Sequence, residues 1–95
     1  MINHIVLFKL KDASQKNVEK ARDVLLDMRG KIPLLRDLEV GMDVLHSERS
    51  FDIALITRFD SMEDLKAYQI YPIHLEVAKY INSVKETSIA VDYES

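Results

Sequence analysis

A chain of 95 residues with 47% apolar and 31% charged positions has the make-up of one soluble globular domain, spanning residues 1–95. A formal net charge of −3, with acidic and basic residues interspersed, disfavours nucleic acid as a partner, because that affinity rests on clustered Lys and Arg. No apolar run approaches the roughly 20 residues that span a bilayer, the start Met1-Ile2-Asn3-His4 lacks the basic region of a secretory leader, and the absence of cysteine excludes disulfides, thiolate metal sites and a cysteine nucleophile. A cytoplasmic protein with no membrane association is expected.

Ile2 to Leu10 reads as a strand. One face carries Ile2, His4, Val6, Phe8 and Leu10; the other carries Asn3, Ile5, Leu7 and Lys9. Both parities hold apolar residues, so the strand is expected to be covered on both sides. Ser14 is placed to cap a following helix. In that helix Val18, Ala21, Leu25, Met28 and Ile32 recur at spacings of three and four, with Gly30 and Pro33 ending it. Leu38, Val40, Met42 and Val44 alternate with polar or small residues, the period of a half-buried strand. His46 to Ser50 is a polar connection short enough for a hairpin. Phe51 to Phe59 forms the next strand, with Phe51, Ile53, Leu55, Thr57 and Phe59 on one face and Ala54 and Ile56 on the other.

Ser61, with Asp64 three residues on, is an acidic variant of the capping box and opens a second helix that turns Met62, Leu65 and Tyr68 inward. Pro72 breaks that helix and suits the first turn of the next, which runs to about Val84. Thr87, Ile89, Val91 and Tyr93 share one face of a last strand, with Ala90 on the other. The order β-α-β-β-α-β around a four-stranded antiparallel sheet predicts an α+β, ferredoxin-like subunit. Its helices cover one sheet face only. The apolar set Ile5, Leu7, Ala54 and Ile56 therefore needs a second cover, and a second copy of the chain is the economical source. Two sheets packed face to face would make a homodimeric α/β barrel.

His74 is the residue of greatest chemical interest. The spacing His74, Ala78, Ile81, Val84 puts an imidazole on the inward stripe of the last helix, near its first turn. An unperturbed imidazole exchanges protons at cellular pH, and a helix N-terminus favours its neutral, basic form. Tyr68 lies across the proline break and is placed to donate a hydrogen bond to a carbonyl oxygen as charge develops there. His4, on the strand face beside Val6 and Phe8, could orient either group. The residues alone leave two readings open: polar groups of a pocket, or satisfied core side chains. Tyr80 and Tyr93 read as rim residues and His46 as solvated. The histidines lack metal-ligand spacing, and Gly30 and Gly41 are isolated, so neither a metal nor a phosphate-bearing cofactor is expected.

Asn3-His4-Ile5-Val6-Leu7-Phe8-Lys9-Leu10-Lys11, Ile32-Pro33, Tyr68-Gln69-Ile70-Tyr71-Pro72-Ile73-His74 and Val91-Asp92-Tyr93-Glu94 occur in this order. Together they resemble the stress-responsive dimeric α/β-barrel (Dabb) domain over essentially the whole chain. The resemblance implies a ferredoxin-like subunit and a barrel-forming homodimer. It also implies, from the polyketide-cyclase branch, a catalytic site of His74 as base, Tyr68 as substrate-binding hydroxyl and His4 in the same pocket. The chain departs from that branch at Leu25, where another pocket tyrosine stands, and has Tyr71 where many members place a histidine before the proline. The function expected is binding of a small apolar organic ligand, with cofactor-free acid–base chemistry such as cyclisation or isomerisation. The alternatives are cofactor-independent oxygenation, as in other dimeric ferredoxin-like barrels, and a non-enzymatic stress-associated dimer.

Overall fold

The computed structural model describes residues 1–95, and its elements follow from the sequence pattern. Strand β1 is Ile2–Leu10, helix α1 Gln15–Leu26, β2 Asp37–Met42, β3 Ile53–Phe59, α2 Met62–Gln69, α3 Pro72–Val84 and β4 Lys85–Glu94. The sheet order is β2-β3-β1-β4, with antiparallel pairing throughout. This is the ferredoxin-like β-α-β-β-α-β arrangement, with the second helical region in two pieces. No residue separates α3 from β4.

The helices cover the sheet face that carries Phe8, Leu10, Leu38, Ile53, Leu55 and Phe59. Against these pack Ala21, Leu25, Leu65, Tyr68 and Ile81. Ser14 caps α1 by accepting from the Asn17 amide at 3.3 Å, and Ser61 caps α2 by accepting from the Asp64 amide at 3.2 Å. Each satisfies an amide that the helix itself leaves unpaired.

Several boundaries differ from the sequence expectation. Helix α1 stops at Leu26, six residues before Ile32. Tight turns follow, in which the amides of Met28, Arg29 and Lys31 bond to carbonyls three residues back, and Gly30 takes φ +79°. Such turns repeat every three residues and so return Met28 and Ile32 to the core just as a helix would. Strand β2 ends at Met42, leaving Val44 90% exposed. The cause is Asp43, whose carboxylate accepts from the amides of Leu45 and His46 and turns the chain. Strand β3 begins at Ile53 rather than Phe51; the Asp52 carboxylate takes the Leu10 amide at 2.8 Å instead. Strand β4 starts at Lys85, before Thr87. Met62, expected inward, is 45% exposed.

The opposite sheet face has no cover within the chain. Ile5 pairs with Ile56 on one side and Val91 on the other; Leu7 pairs with Ala54 and Ile89. Across the three strands these central pairs are apolar, and Ile89 and Val91 are 53% and 54% exposed.

Candidate functional site

Pro72 sets the site. Its ring cannot donate a hydrogen bond, so α2 ends at Gln69 and α3 restarts with Pro72 in its first position. His74 is then the third residue of α3, and its Nδ1 lies 3.0 Å from the Gln69 carbonyl oxygen. A carbonyl only accepts, so Nδ1–H donates and Nε2 keeps the lone pair. The bond spans the helix break and satisfies a carbonyl that the end of α2 would otherwise leave open. Burial holds the His74 pKa below its ordinary value, the nearby His4 adds to the lowering, and the Gln69 carbonyl works against both.

Tyr68, on the inward side of α2, is fully buried. Its ring lies 4.4 Å from the His74 ring at 48° and 4.8 Å from Phe59 at 50°. The hydroxyl donates to the Met28 sulfur at 3.8 Å, a weak acceptor. Burial pushes the phenol well above its usual range, so it stays protonated. His4, on the helix side of β1, bonds through Nδ1 to the carboxylate of Asp92, its direct partner on β4. In the neutral ring Nδ1–H is then the donor and Nε2 the free acceptor. Both imidazoles are fixed in the same tautomeric sense, one by a carbonyl and one by a carboxylate.

All three expected residues line one cavity of about 180 Å³ between sheet and helices. Val6, Phe8 and Leu55 form its floor, and Leu25, Met28, Val77 and Ile81 its roof. The wall is apolar except for His4, Tyr68, His74 and, at one end, Asn82, Lys85 and Ser88. Asp92, Lys85 and Ser88 were not foreseen as partners of this site, although Val91-Asp92-Tyr93 stood out as a motif. The strand register that brings them there is their only signal. His46 lies elsewhere, on the exposed connection, beside Asp43 at 3.5 Å. Tyr80 packs beneath Lys20, and Tyr93 is on the uncovered face. A wider depression of about 580 Å³ between α1 and α3 is an open surface groove lined mainly by Lys and acidic residues, among them Lys16, Glu19 and Glu76. Six of its eight lining residues are charged, and it is a solvated seam.

The stress responsive A/B barrel domain (Dabb) family matches residues 2–95, and the chain belongs to that family. A stress-response A/B barrel domain-containing protein of Arabidopsis thaliana is 31% identical over 98% of this chain and 46% of its own length. The chain thus spans less than half the length of the curated relatives it matches. Among solved structures, a dimeric protein of unknown function and ferredoxin-like fold from Bacteroides fragilis is 32% identical, with TM-score 0.85 over 99% of this chain and 95% of that one. A hydroxynitrile lyase from Passiflora edulis shares the fold, with TM-score 0.83, 23% identity, and coverage of 97% and 90%.

Proposed function

We propose that this domain works as a pair of identical subunits, each binding a small, largely apolar carbonyl compound and performing cofactor-free acid–base chemistry on it. The convergence of His4, Tyr68 and His74 on one apolar cavity carries this reading. The uncovered sheet face supports the pairing, as does the dimeric state named for the Bacteroides fragilis relative.

In the proposed step His74 Nε2 takes a proton from the carbon beside the ligand carbonyl. The electron pair moves onto the carbonyl oxygen, giving an enolate. The Tyr68 hydroxyl turns from the weak Met28 acceptor to donate to that oxygen. Collapse of the enolate, with or without a new carbon–carbon bond, returns the proton from the imidazolium. The step balances without an oxidant. His4, held by Asp92, is the second polar contact for the ligand. A volume of about 180 Å³ is below the roughly 300–1,000 Å³ typical of sites for drug-sized molecules, which restricts the ligand to a compact one and leaves no room for a haem.

The test is exchange of the α-protons of acetophenone with solvent deuterium, followed by NMR. The wild-type protein should accelerate exchange over buffer, and His74→Ala should remove the acceleration while leaving fold and oligomeric state intact. Exchange at the buffer rate, or unchanged in His74→Ala, would sink the acid–base reading.

A further inference from the structure

The end of the cavity where α3 runs into β4 differs chemically from the rest of its wall. Lys85 reaches it through an irregularity in strand pairing. Ser88 pairs with Phe8 and Lys85 with Leu10, so a three-residue step on β4 matches a two-residue step on β1, with the register shift between Lys9 and Leu10. In an unbroken strand, residues three apart point to opposite faces. The extra residue puts Lys85 and Ser88 on the same one, the face toward the helices, and re-aiming a side chain is what such bulges do.

Lys85 is half-buried, and its ammonium takes part in none of the ion pairs of the chain. Its side-chain partner is the neutral Ser88 hydroxyl, to which Nζ donates at 3.3 Å, and no carboxylate of the chain reaches it. The cavity lining contains no Asp or Glu. Asp92, on the same face of β4, is already engaged by His4. A partly desolvated cation without a counter-ion is costly in a folded chain, and an anion brought by a ligand would offset that cost.

We propose that Lys85 anchors an anionic group of the ligand, so that the cavity selects a compact organic carboxylate of about one ring. This rests on the reading of the cavity as a ligand site and adds the charge and size of what enters. The size follows from volume: an apolar cavity of about 150 Å³ accommodates benzene, so about 180 Å³ holds one ring with a small substituent. The ring lies among Leu25, Met28 and Tyr68, and the carboxylate meets Nζ of Lys85.

Calorimetric titration with benzoate and with its neutral isostere benzamide tests the proposal. At pH 8 an ordinary imidazole is neutral, so lysine is the cation being probed. The wild type should bind benzoate about tenfold more tightly than benzamide, the size of a charge-assisted contact. Lys85→Met should abolish the preference while keeping benzamide binding, and Lys85→Arg should retain most of it. Added salt should weaken benzoate alone. Binding of both probes without preference, or a preference that survives in Lys85→Met, overturns the anchor and leaves the cavity reading standing. Binding of neither overturns both. Should Lys85→Met not fold, the wild type decides: benzoate binding insensitive to salt overturns the anchor.

Discussion

The two faces of one sheet, built from the same strands, have opposite fates. The face of Phe8, Ile53 and Leu55 is closed by helices from its own chain and opens into the small cavity at His74. The face of Ile5, Ile56 and Val91 has an apolar centre, flanked by Asn3, Lys9, Glu39 and Arg58, and is uncovered. Apolar parity thus specifies that a surface will be covered, not by what. On the first face cover comes with folding; on the second, in the proposed pair, it comes with association, and the balance of stability between subunit and pair would be set there.

Neighbouring residues can break this comparison. Leu55→Asp places a charge on the closed face and should abolish folding, since lost packing of about 2–5 kcal/mol and an unpaired buried charge of about 3–5 kcal/mol together match the lower part of a typical stability of about 5–15 kcal/mol. Ile56→Asp, one residue on, should leave a folded monomer where the proposed pairing makes the wild type a dimer. Circular dichroism and light scattering separate the outcomes. Loss of fold in both variants would mean that the outer face stabilises the subunit itself, and a wild-type monomer at micromolar concentration would end the pairing model.

A smaller effect sharpens the inner face. The pKa of His74 is lowered in the folded state, so the unfolded chain binds more protons around and below its ordinary value near 6.5. The associated stability is complete above about pH 6.5 and is lost as pH falls from there through the folded value. His74→Asn keeps a donor toward the Gln69 carbonyl but cannot titrate. The fall in melting temperature between pH 8 and pH 5 should therefore be smaller in His74→Asn than in the wild type; equal falls would assign the acid sensitivity elsewhere. Smallest of all, Tyr68→Phe should cost no more than about 1 kcal/mol in thermal or urea unfolding, because the hydroxyl gives up only a sulfur acceptor. A loss of several kcal/mol would reveal a stronger native partner for it.

The elements on both faces were legible in the sequence because strand alternation and helical spacing are local signals. So was the break between α2 and α3, since Pro72 acts through its own ring. The end of α1 was not: tight turns after Leu26 repeat at the same spacing of three that marks a helix. The extension of β2 through Val44 failed because Asp43 captures the following amides, a competition that alternation does not register. His4, Tyr68 and His74 were marked out as a group, and the structure places them around one cavity. The roles of Asp92 and Lys85 escaped notice, because strand register brings Asp92 to His4, and a bulge within it brings Lys85 to the cavity, from the far end of the chain.

Because β4 grows directly from α3, chain length is metered in this part of the molecule. Side chains on a strand alternate with a period of two, so a residue inserted after Ser88 would turn Ile89, Val91 and Tyr93 onto the helices and Ala90 and Asp92 away from them. His4 would lose its carboxylate and the outer face its apolar row in the same event. The polar connection from Asp43 to Asp52, by contrast, carries no such phase and can lengthen without consequence for either face. Natural variation in length, and any inserted tag or loop, should therefore collect between β2 and β3 and be absent from β4.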